Sequence, residues 1–334
     1  MQTECIYNCI GIFRMKEFTI TKNDAGQRLD KFLHKTVPNL PQSLLYKSIR
    51  TKNIKVNGKR AEISTRLCEG DSVKVFVADE FFAQSETVYD FLRAGKSLDI
   101  VYEDENVLLL NKKVGVLCHP DDHEYIDTLI GRVKRYLYDK GEYLPQKENS
   151  FTPALVNRID RNTGGIVIAA KNAETLRILN QKMKDRELHK FYLCVVHGEL
   201  EQKSGTLSGY LVKDESKNKV TVSKNARQGA KEIRTKYKVL DCDGTLSLVE
   251  VELLTGRTHQ IRAHFASIGH PLLGDGKYGT NAQNKKYGYK KQFLYSYKLV
   301  FDFTTDAGIL DYLNHKEFEV KDVWFKEEFY NKGI

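Results

Sequence analysis

Asp160 is the first residue in this sequence whose setting suggests chemistry. It lies in the polar segment RIDRNTGG, residues 158–165, which leads into the apolar stretch Ile166–Ile168. An acidic residue in such a turn commonly closes the turn with its own carboxylate. A carboxylate held beside an electrophilic carbon instead acts as a nucleophile and forms a covalent intermediate. Asp160 alone fits both roles, so partners elsewhere in the chain decide between them.

A second candidate segment reads TGRTHQIRAH over residues 255–264. On a helix, His259, Arg262 and Ala263 would share one face, which predicts a donor-rich patch beside a small residue. Zinc is the rival interpretation for His259 and His264. A five-residue spacing, however, directs these two side chains to divergent faces, whereas paired ligands on one helix are four residues apart. We therefore expect no metal at this segment.

Tyr192 is the third candidate, in the segment KFYLCVVHG that begins at Lys190. An aromatic residue in a strand ordinarily packs in the core. Beside a reacting base, its ring could stack on that base or its hydroxyl could take part in proton transfer. A phenol with a pKa near ~10 is a poor base unless its surroundings help. The sequence leaves these roles open.

The elements that must position these residues are mostly short strands. Apolar and alternating patterns predict strands at 107–110, 166–170, 192–196, 220–223, 237–240, 249–253 and 299–303. Asn172 is placed to cap a following helix, and Thr255 or Thr258 is placed to begin another that ends near Ser267. The order of elements is not an alternating βαβ series. We therefore predict an α+β fold with a mixed, largely antiparallel sheet.

A smaller αα-then-β module precedes this region. Leu29, Phe32 and Leu33 lie three and four residues apart and mark one face of a short helix. A second helix follows, and Ser43 is placed to cap it. Asn57-Gly58 then predicts a tight hairpin turn, because this dipeptide readily supplies two positive φ angles.

Positive charge is concentrated in this module. The interval 47–66 contains Lys47, Arg50, Lys52, Lys55, Lys59, Arg60 and Arg66, with Glu62 as its single acid. The whole chain has 53 Lys and Arg against 44 Asp and Glu, a formal charge of +9, which favours a polyanionic partner. A basic helix face that is merely solvated is the alternative. We take Lys47, Arg50, Lys52 and Lys55 as candidate contacts to such a polyanion.

These patterns predict four segments. Residues 1–25 form an N-terminal extension, 26–78 the basic module, 79–98 a linker without clear periodicity, and 99–330 a catalytic domain. The six cysteines are scattered, as expected of reduced thiols. The sequence has neither an apolar run long enough to span a bilayer nor a signal-peptide pattern, so we expect a cytoplasmic protein. Met15 is an alternative start of translation.

The three segments, in this order, resemble the catalytic domain of the RluA-type pseudouridine synthases, from about residue 99 to 325. The resemblance rests on RIDRNTGG, the strand around Tyr192 and GRTHQIRAH. The motifs RLDKFL and IKVNGK of the N-terminal module resemble the S4 RNA-binding domain. Synthases of this type that act on large-subunit ribosomal RNA often join an S4 domain to the catalytic domain in this order.

The resemblance implies roles for individual residues. The catalytic aspartate, tyrosine and arginine correspond to Asp160, Tyr192 and Arg262. Contacts with the RNA are implied for Arg158, Thr163, Arg257 and His259, with Arg158 helping to displace the target nucleotide. An arginine beside Asp160 would favour its ionised form. The isomerisation has no net redox change, so no cofactor is expected.

The sequence departs from the family pattern at three places. Asn157 stands where relatives often carry histidine, Lys112-Lys113 replaces a lysine-proline pair, and Leu294–Ser296 replaces Leu-His-Ala. The first two substitutions do not touch Asp160, Tyr192 or Arg262, and the third concerns the wall of the pocket. We expect altered packing at the pocket wall and retained chemistry.

The expected substrate is a uridine in structured RNA, most simply 23S ribosomal RNA, bound by a monomer without metal or membrane. The alternative is a catalytically inactive S4-domain RNA-binding or ribosome-assembly factor, against which the intact Asp160, Tyr192 and Arg262 argue. A third hypothesis is a base-excising enzyme. Such an enzyme ordinarily needs a second carboxylate, and no second carboxylate stands out near these motifs. The target uridine and the first point of attack stay open.

Overall fold

The computed structural model describes residues 13–82, 89–214, 219–280, 284 and 287–331. The chain divides into two compact units. The first contains residues 1–90 together with 137–152 and 172–174, and the second contains 91–136, 153–171 and 175–334. The four-segment division predicted from sequence stays a prediction. No helix among the described residues is long and apolar enough to cross a membrane.

The first unit contains two helices and a four-stranded sheet. Its elements are β1 (Phe13–Thr19), α1 (Leu29–Thr36), α2 (Gln42–Arg50), β2 (Ile54–Val56), β3 (Lys59–Arg60) and β4 (Ser72–Ala78), and the strand order is β1-β4-β2-β3. The predicted αα-then-β order is therefore confirmed. Strand β1 lies within the predicted extension and was missed, although Phe18 and Ile20 alternate with polar residues and are buried.

Local sequence determines much of this unit. The predicted helix face is buried, because Leu29, Phe32 and Leu33 have no exposed surface. Asn57 and Gly58 adopt φ angles of 52° and 73° between β2 and β3, as the hairpin prediction required. The predicted cap at Ser43 is wrong. Helix α2 already begins at Gln42, after Pro41, and no side chain caps its first amides.

The second unit is built on a large sheet. Within the described residues it has eleven strands: β5 (Ile100–Glu103), β6 (Val107–Lys112), β7 (Ala154–Leu155), β8 (Gly164–Ala170), β9 (Leu188–His197), β10 (Ser204–Asp214), β11 (Lys219–Ser223), β12 (Lys231–Cys242), β13 (Leu246–Leu253), β14 (Leu294–Phe301) and β15 (Glu317–Glu319). The main order is β11-β10-β12-β13-β9-β14-β8-β6-β5. The pair β14–β8 is parallel and the other neighbours are antiparallel. The predicted α+β class with a largely antiparallel sheet is confirmed.

Within the part of the chain that the structure describes, four further α-helices accompany the large sheet: α3 (Leu129–Asp139), α4 (Ala173–Asp185), α5 (Gln260–Ser267) and α6 (Trp324–Tyr330). The predicted helices after Asn172 and before Ser267 correspond to α4 and α5. Sequence patterns missed α3 and strand β10. They also placed the start of β14 at residue 299, whereas the strand begins at Leu294.

Strand β9, which contains Tyr192, is buried on both faces and is therefore held in a fixed position. Tyr192, Cys194 and Val196 contribute to one apolar cluster, whereas Leu193 and Val195 belong to another. Ile261 and Phe265 of helix α5 pack in the same cluster as Tyr192. Because these two helix residues are four apart, they hold one face of α5 against the sheet. Arg262, which follows Ile261, is thereby fixed near the strand that carries Tyr192.

The glycine pair at the end of the RIDRNTGG segment allows β14 to approach β8. A Cβ atom on Gly165 would lie 2.1 Å from the carbonyl oxygen of Ser296, and the φ angle of Gly165 is +110°. A Cβ atom on Gly164 would lie 2.5 Å from the ring of Tyr295. Both residues pair with β14 in parallel register. The two glycines are therefore required by backbone packing, which in turn fixes the loop that precedes them.

Candidate active site

A cleft of about 1050 Å³ lies within the second unit. All three candidate segments reach it. The predicted site residues that line it are Arg158, Asp160, Thr163, Tyr192, Arg257, His259 and Arg262. The structure therefore brings together residues that lie up to about a hundred positions apart in the chain.

A buried lysine, Lys112, stabilises the loop that contains Asp160. Lys112 is 1% exposed, and its Nζ donates hydrogen bonds to the carbonyl oxygens of Val116 (2.7 Å), Arg161 (3.1 Å) and Lys113 (3.2 Å). Burial lowers the pKa of Lys112 to about 8, and the three carbonyl oxygens replace part of the lost hydration. Sequence analysis assigned no role to Lys112, since its burial is a property of the folded chain.

Thr163 shapes the same loop. Its amide donates to the carbonyl oxygen of Asp160 at 3.0 Å, which closes the turn. Its hydroxyl is buried and accepts a hydrogen bond of 3.3 Å from Gln292. Asn157 joins the start of the loop to β8, because its Oδ1 accepts the amide of Ile168 at 2.8 Å. The carboxylate of Asp160 keeps 25% of its surface exposed and faces the cleft.

Arg262 connects two carboxylates. Its Nη1 donates to Asp160 Oδ2 at 2.8 Å. Its Nε and Nη2 donate to the two carboxylate oxygens of Asp275, at 2.7 and 2.9 Å. This fork-to-fork pairing fixes the plane of the guanidinium group, and therefore the direction in which Nη1 points. Asp275 thus sets the position of the group that contacts Asp160.

The Arg262–Asp275 pair is buried, and each member favours the charged form of the other. Asp275 is 0% exposed. Burial opposes its ionisation, but the hydrogen bonds and charge of Arg262 lower the pKa of Asp275 below its ordinary value. Burial likewise opposes the charge of Arg262, yet Asp275 raises the pKa of Arg262 above its ordinary value. Sequence analysis missed Asp275, although it follows the second candidate segment closely.

His259 lies just before helix α5, in the left-handed region with φ 52°. The prediction that it shares a helical face with Arg262 and Ala263 is therefore wrong. Its Nε2 is nevertheless 3.8 Å from Asp160 Oδ2, and its Nδ1 is 2.9 Å from the hydroxyl of Tyr278. Burial lowers the pKa of His259 below its ordinary value, which favours the neutral ring. Asp160 Oδ2 therefore faces two nitrogen groups.

Tyr192 is almost completely buried beside this carboxylate. It is 5% exposed and lines the cleft. Burial raises the pKa of Tyr192 to about 12, although a hydrogen bond with Ser296 opposes the shift. The phenol is therefore neutral at physiological pH. Ser296 occupies the position where relatives commonly carry alanine, and here its side chain contacts the tyrosine.

The remaining predicted residues differ in their surroundings. Arg158 is exposed at the cleft beside Asp160, and Arg257 is an exposed cleft residue before α5. His264 turns away, because its Nδ1 lies 2.9 Å from the hydroxyl of buried Thr235. Among the described residues, no group of three His, Cys, Asp or Glu side chains is arranged to hold a metal ion.

The basic residues predicted to bind RNA lie in the first unit. Lys47 and Arg50 are exposed on α2, Lys52 follows the helix, and Lys55 is exposed on β2. In the part of the chain that the structure describes, none of the four is in an ion pair. Their charges are therefore available to a polyanion.

Known proteins resemble both regions of the chain. The sequence profile of the RNA pseudouridylate synthase family matches residues 106–267, and that of the S4 domain matches residues 27–73. An RNA pseudouridine synthase of Mycoplasma capricolum, itself uncharacterised, is 33% identical over 90% of this chain and 96% of its own. Ribosomal large subunit pseudouridine synthase D of Borreliella burgdorferi is 33% identical over 86% of this chain and 85% of its own.

Solved structures share the fold of the second unit. Human RNA pseudouridylate synthase domain containing 4 aligns with a TM-score of 0.52 and 20% identity, over 67% of this chain and 88% of the human chain. Human RNA pseudouridylate synthase domain containing 1 aligns with a TM-score of 0.50 and 22% identity. The sequence relatives cover most of both chains at more than 30% identity. The protein described here therefore belongs to the RNA pseudouridine synthases, isomerases that act on RNA, and carries an S4 domain ahead of the synthase region.

Proposed function

We propose that the protein converts uridine to pseudouridine in large-subunit ribosomal RNA, with Asp160 as the nucleophile. The observation that supports this proposal most directly is the hydrogen bond from Arg262 to Asp160 inside the cleft, made by a guanidinium group that Asp275 holds in place. Oδ2 of Asp160 accepts the arginine and faces His259, so Oδ1 is the oxygen left for attack. The relative from Borreliella burgdorferi, which is named as a ribosomal large subunit pseudouridine synthase, supports the choice of substrate.

The reaction breaks the bond between ribose C1′ and uracil N1, turns the base, and joins C1′ to C5. Attack by the Asp160 carboxylate would divide this exchange into two steps through a covalent intermediate. Arg262 would hold the carboxylate in a fixed orientation without consuming a reagent. Pseudouridine is an isomer of uridine: C5 loses a proton to solvent and N1 gains one, with no net addition or loss of atoms, so the proposal needs no cofactor.

Tyr192 acts in this proposal as a neutral side chain beside the base. A phenol with a pKa of about 12 is a weak acid, and only a very small fraction is ionised at neutral pH. Its buried ring offers a stacking surface, and its hydroxyl offers a hydrogen bond. These properties suit the holding and turning of uracil better than removal of the C5 proton.

The target uridine must leave its stack to reach the cleft, at a cost of a few kcal/mol. The exposed guanidinium of Arg158, two residues before Asp160, is suited to fill the space that the base vacates. Phosphate contacts of the S4 domain would offset part of the cost. We assign residues 26–78 to that domain, 79–98 to a linker and 99–330 to catalysis, in a cytoplasmic monomer.

The S4 domain provides one quantitative prediction. Replacing Lys47, Arg50, Lys52 and Lys55 together with glutamine should weaken RNA binding at least about tenfold near ~0.15 M salt, because phosphate contacts are lost. The slope of log K against log salt should become shallower by up to about 3, while the rate at saturating RNA is kept. Filter binding over a salt series measures both quantities.

The matched control removes four exposed lysines from the second unit. These are Lys203, Lys238, Lys316 and Lys321. This control changes the net charge equally, so it should leave the salt slope near the wild-type value. Equal slopes for both variants and the wild type would mean that the S4 residues do not contact phosphate.

The choice of substrate is tested by mapping pseudouridine in cells with and without the protein. Carbodiimide labelling followed by reverse transcription locates each pseudouridine in ribosomal and transfer RNA. We expect one or more sites in large-subunit rRNA to disappear without the protein and to return when the wild-type chain is supplied. Loss confined to transfer RNA or small-subunit rRNA would contradict the assigned substrate.

A further inference from the structure

Lys190 is a partly buried cation that the chemistry above does not use. It lies on β9, two residues before Tyr192, and lines the cleft. Its Nζ is 2.9 Å from the thioether sulfur of Met183 on α4. Within the described residues, this sulfur is its single hydrogen-bond partner. Burial lowers the pKa of Lys190 to about 8.

A thioether is a weak acceptor, and it compensates poorly for the hydration that an ammonium group loses on burial. The acidic residues that line the cleft do not supply a counter-charge. Asp160 is paired with Arg262, and both amides that Asp121 accepts come from its own turn, at His123 and Glu124. The free protein therefore contains an uncompensated cation that faces the cleft.

The surroundings of Lys190 favour an anionic ligand. Two exposed cations, Lys184 in the last turn of α4 and Arg186 between α4 and β9, also line the cleft. On an extended strand, positions two apart point to the same face and are separated by about 7 Å. A nucleotide whose base reaches Tyr192 would therefore bring its backbone within reach of the Lys190 side chain.

We propose that Lys190 binds a phosphodiester of the substrate RNA next to the displaced uridine. This inference rests on the proposed function, because it takes the cleft to be the place where the nucleotide enters. The phosphate supplies the counter-charge that the free protein lacks. Lys184 and Arg186 extend the same positive strip toward solvent, where the RNA strand continues.

The proposal predicts opposite effects on stability and binding. Lys190→Met removes the partly buried charge and leaves a side chain of similar length beside Met183. We expect its melting temperature to be above that of the wild type, because a partly buried ammonium group without a counter-charge destabilises the free fold. The same variant should bind large-subunit rRNA about tenfold more weakly near ~0.1 M salt. Its salt slope should be shallower by about 0.7, the value for one contact with a single strand.

The test compares Lys190→Met, Lys190→Arg and Lys298→Met with the wild type. Lys298 is a partly buried lysine on the neighbouring strand β14 and lies against the ring of Phe191, outside the cleft. Binding is measured by filter retention of large-subunit rRNA from cells that lack the protein, over a salt series. Tritium release then gives the saturating rate and the half-saturating concentration. Lys190→Arg and Lys298→Met should keep the wild-type salt slope.

Two results would overturn the proposal. A lower melting temperature with an unchanged salt slope would make Lys190 a structural residue. A lower saturating rate with unchanged binding would assign it to the chemical steps. Binding requires no turnover, so the salt slopes decide the role of Lys190 even if the wild type proves inactive and the proposed function fails.

Discussion

Asp160→Asn is expected to reduce the rate of pseudouridine formation by about 10⁴-fold or more, the scale seen when an enzyme loses its nucleophile. The amide has the shape of the carboxylate, so it fits beside Arg262 and leaves the loop intact. It cannot attack carbon as the carboxylate does, and the covalent route is therefore closed. Affinity for RNA should stay within about threefold of the wild type, because Asp160 contributes little to phosphate binding.

Single-turnover reactions measure this loss most cleanly, with chromatography of the nucleosides after digestion of the RNA. Asp121→Asn is the matched control, because Asp121 lines the same cleft but its carboxylate accepts the amides of His123 and Glu124 in its own turn. Asparagine caps such a turn as well as aspartate does. We expect the control to keep the wild-type rate. A rate of Asp160→Asn close to that of the control would show that Asp160 is not the nucleophile.

Asp275→Asn is expected to lower both activity and stability. The variant leaves Arg262 buried with half of its counter-charge removed. Breaking a buried ion pair in this way typically lowers the free energy of unfolding by about 3–5 kcal/mol. The guanidinium is then free to rotate away from Asp160. We expect the rate of isomerisation to fall by roughly 10²-fold, because misplacement of a catalytic group by about 1 Å has an effect of this size. Urea unfolding and single-turnover rates measure the two losses separately.

The pH dependence of this stability loss follows from the lowered pKa of Asp275. A carboxylate whose pKa is lower in the folded state stabilises the fold above its unfolded pKa, near ~3.9, and loses that contribution as the pH falls through the folded value. The difference in the free energy of unfolding between wild type and variant should therefore be constant from neutral pH down to about 5. It should become smaller below about pH 4. A constant difference throughout that acidic range would contradict a charged Asp275.

Features fixed by neighbouring residues were predictable from the sequence. The Asn57-Gly58 turn depends on the backbone freedom of these two residues, and the buried face of α1 depends on the spacing of Leu29, Phe32 and Leu33. Strand β1 was missed because its signal is short and its partner, β4, lies more than fifty residues away. Pairing of that kind is decided by tertiary contacts rather than by local pattern.

The candidate site was predictable only in part. Asp160 and Arg262 are 102 residues apart, and family resemblance, rather than spacing, indicated that they would meet. Asp275 was missed because its role depends on the side chain opposite to it. Lys112 and Lys190 were given no role because lysine is usually exposed. No sequence pattern indicates which lysines the fold withdraws from solvent. His259 was wrongly placed on a helix because its left-handed backbone interrupts the pattern there.

Isomerisation of uridine in large-subunit rRNA is measured by release of tritium from rRNA labelled at uridine C5, taken from cells that lack the protein and incubated with the purified wild type. Because C5 exchanges its hydrogen for the bond to ribose, we expect one tritium to be released for each pseudouridine formed. Binding of this RNA without any release of tritium would instead identify the protein as an inactive RNA-binding factor.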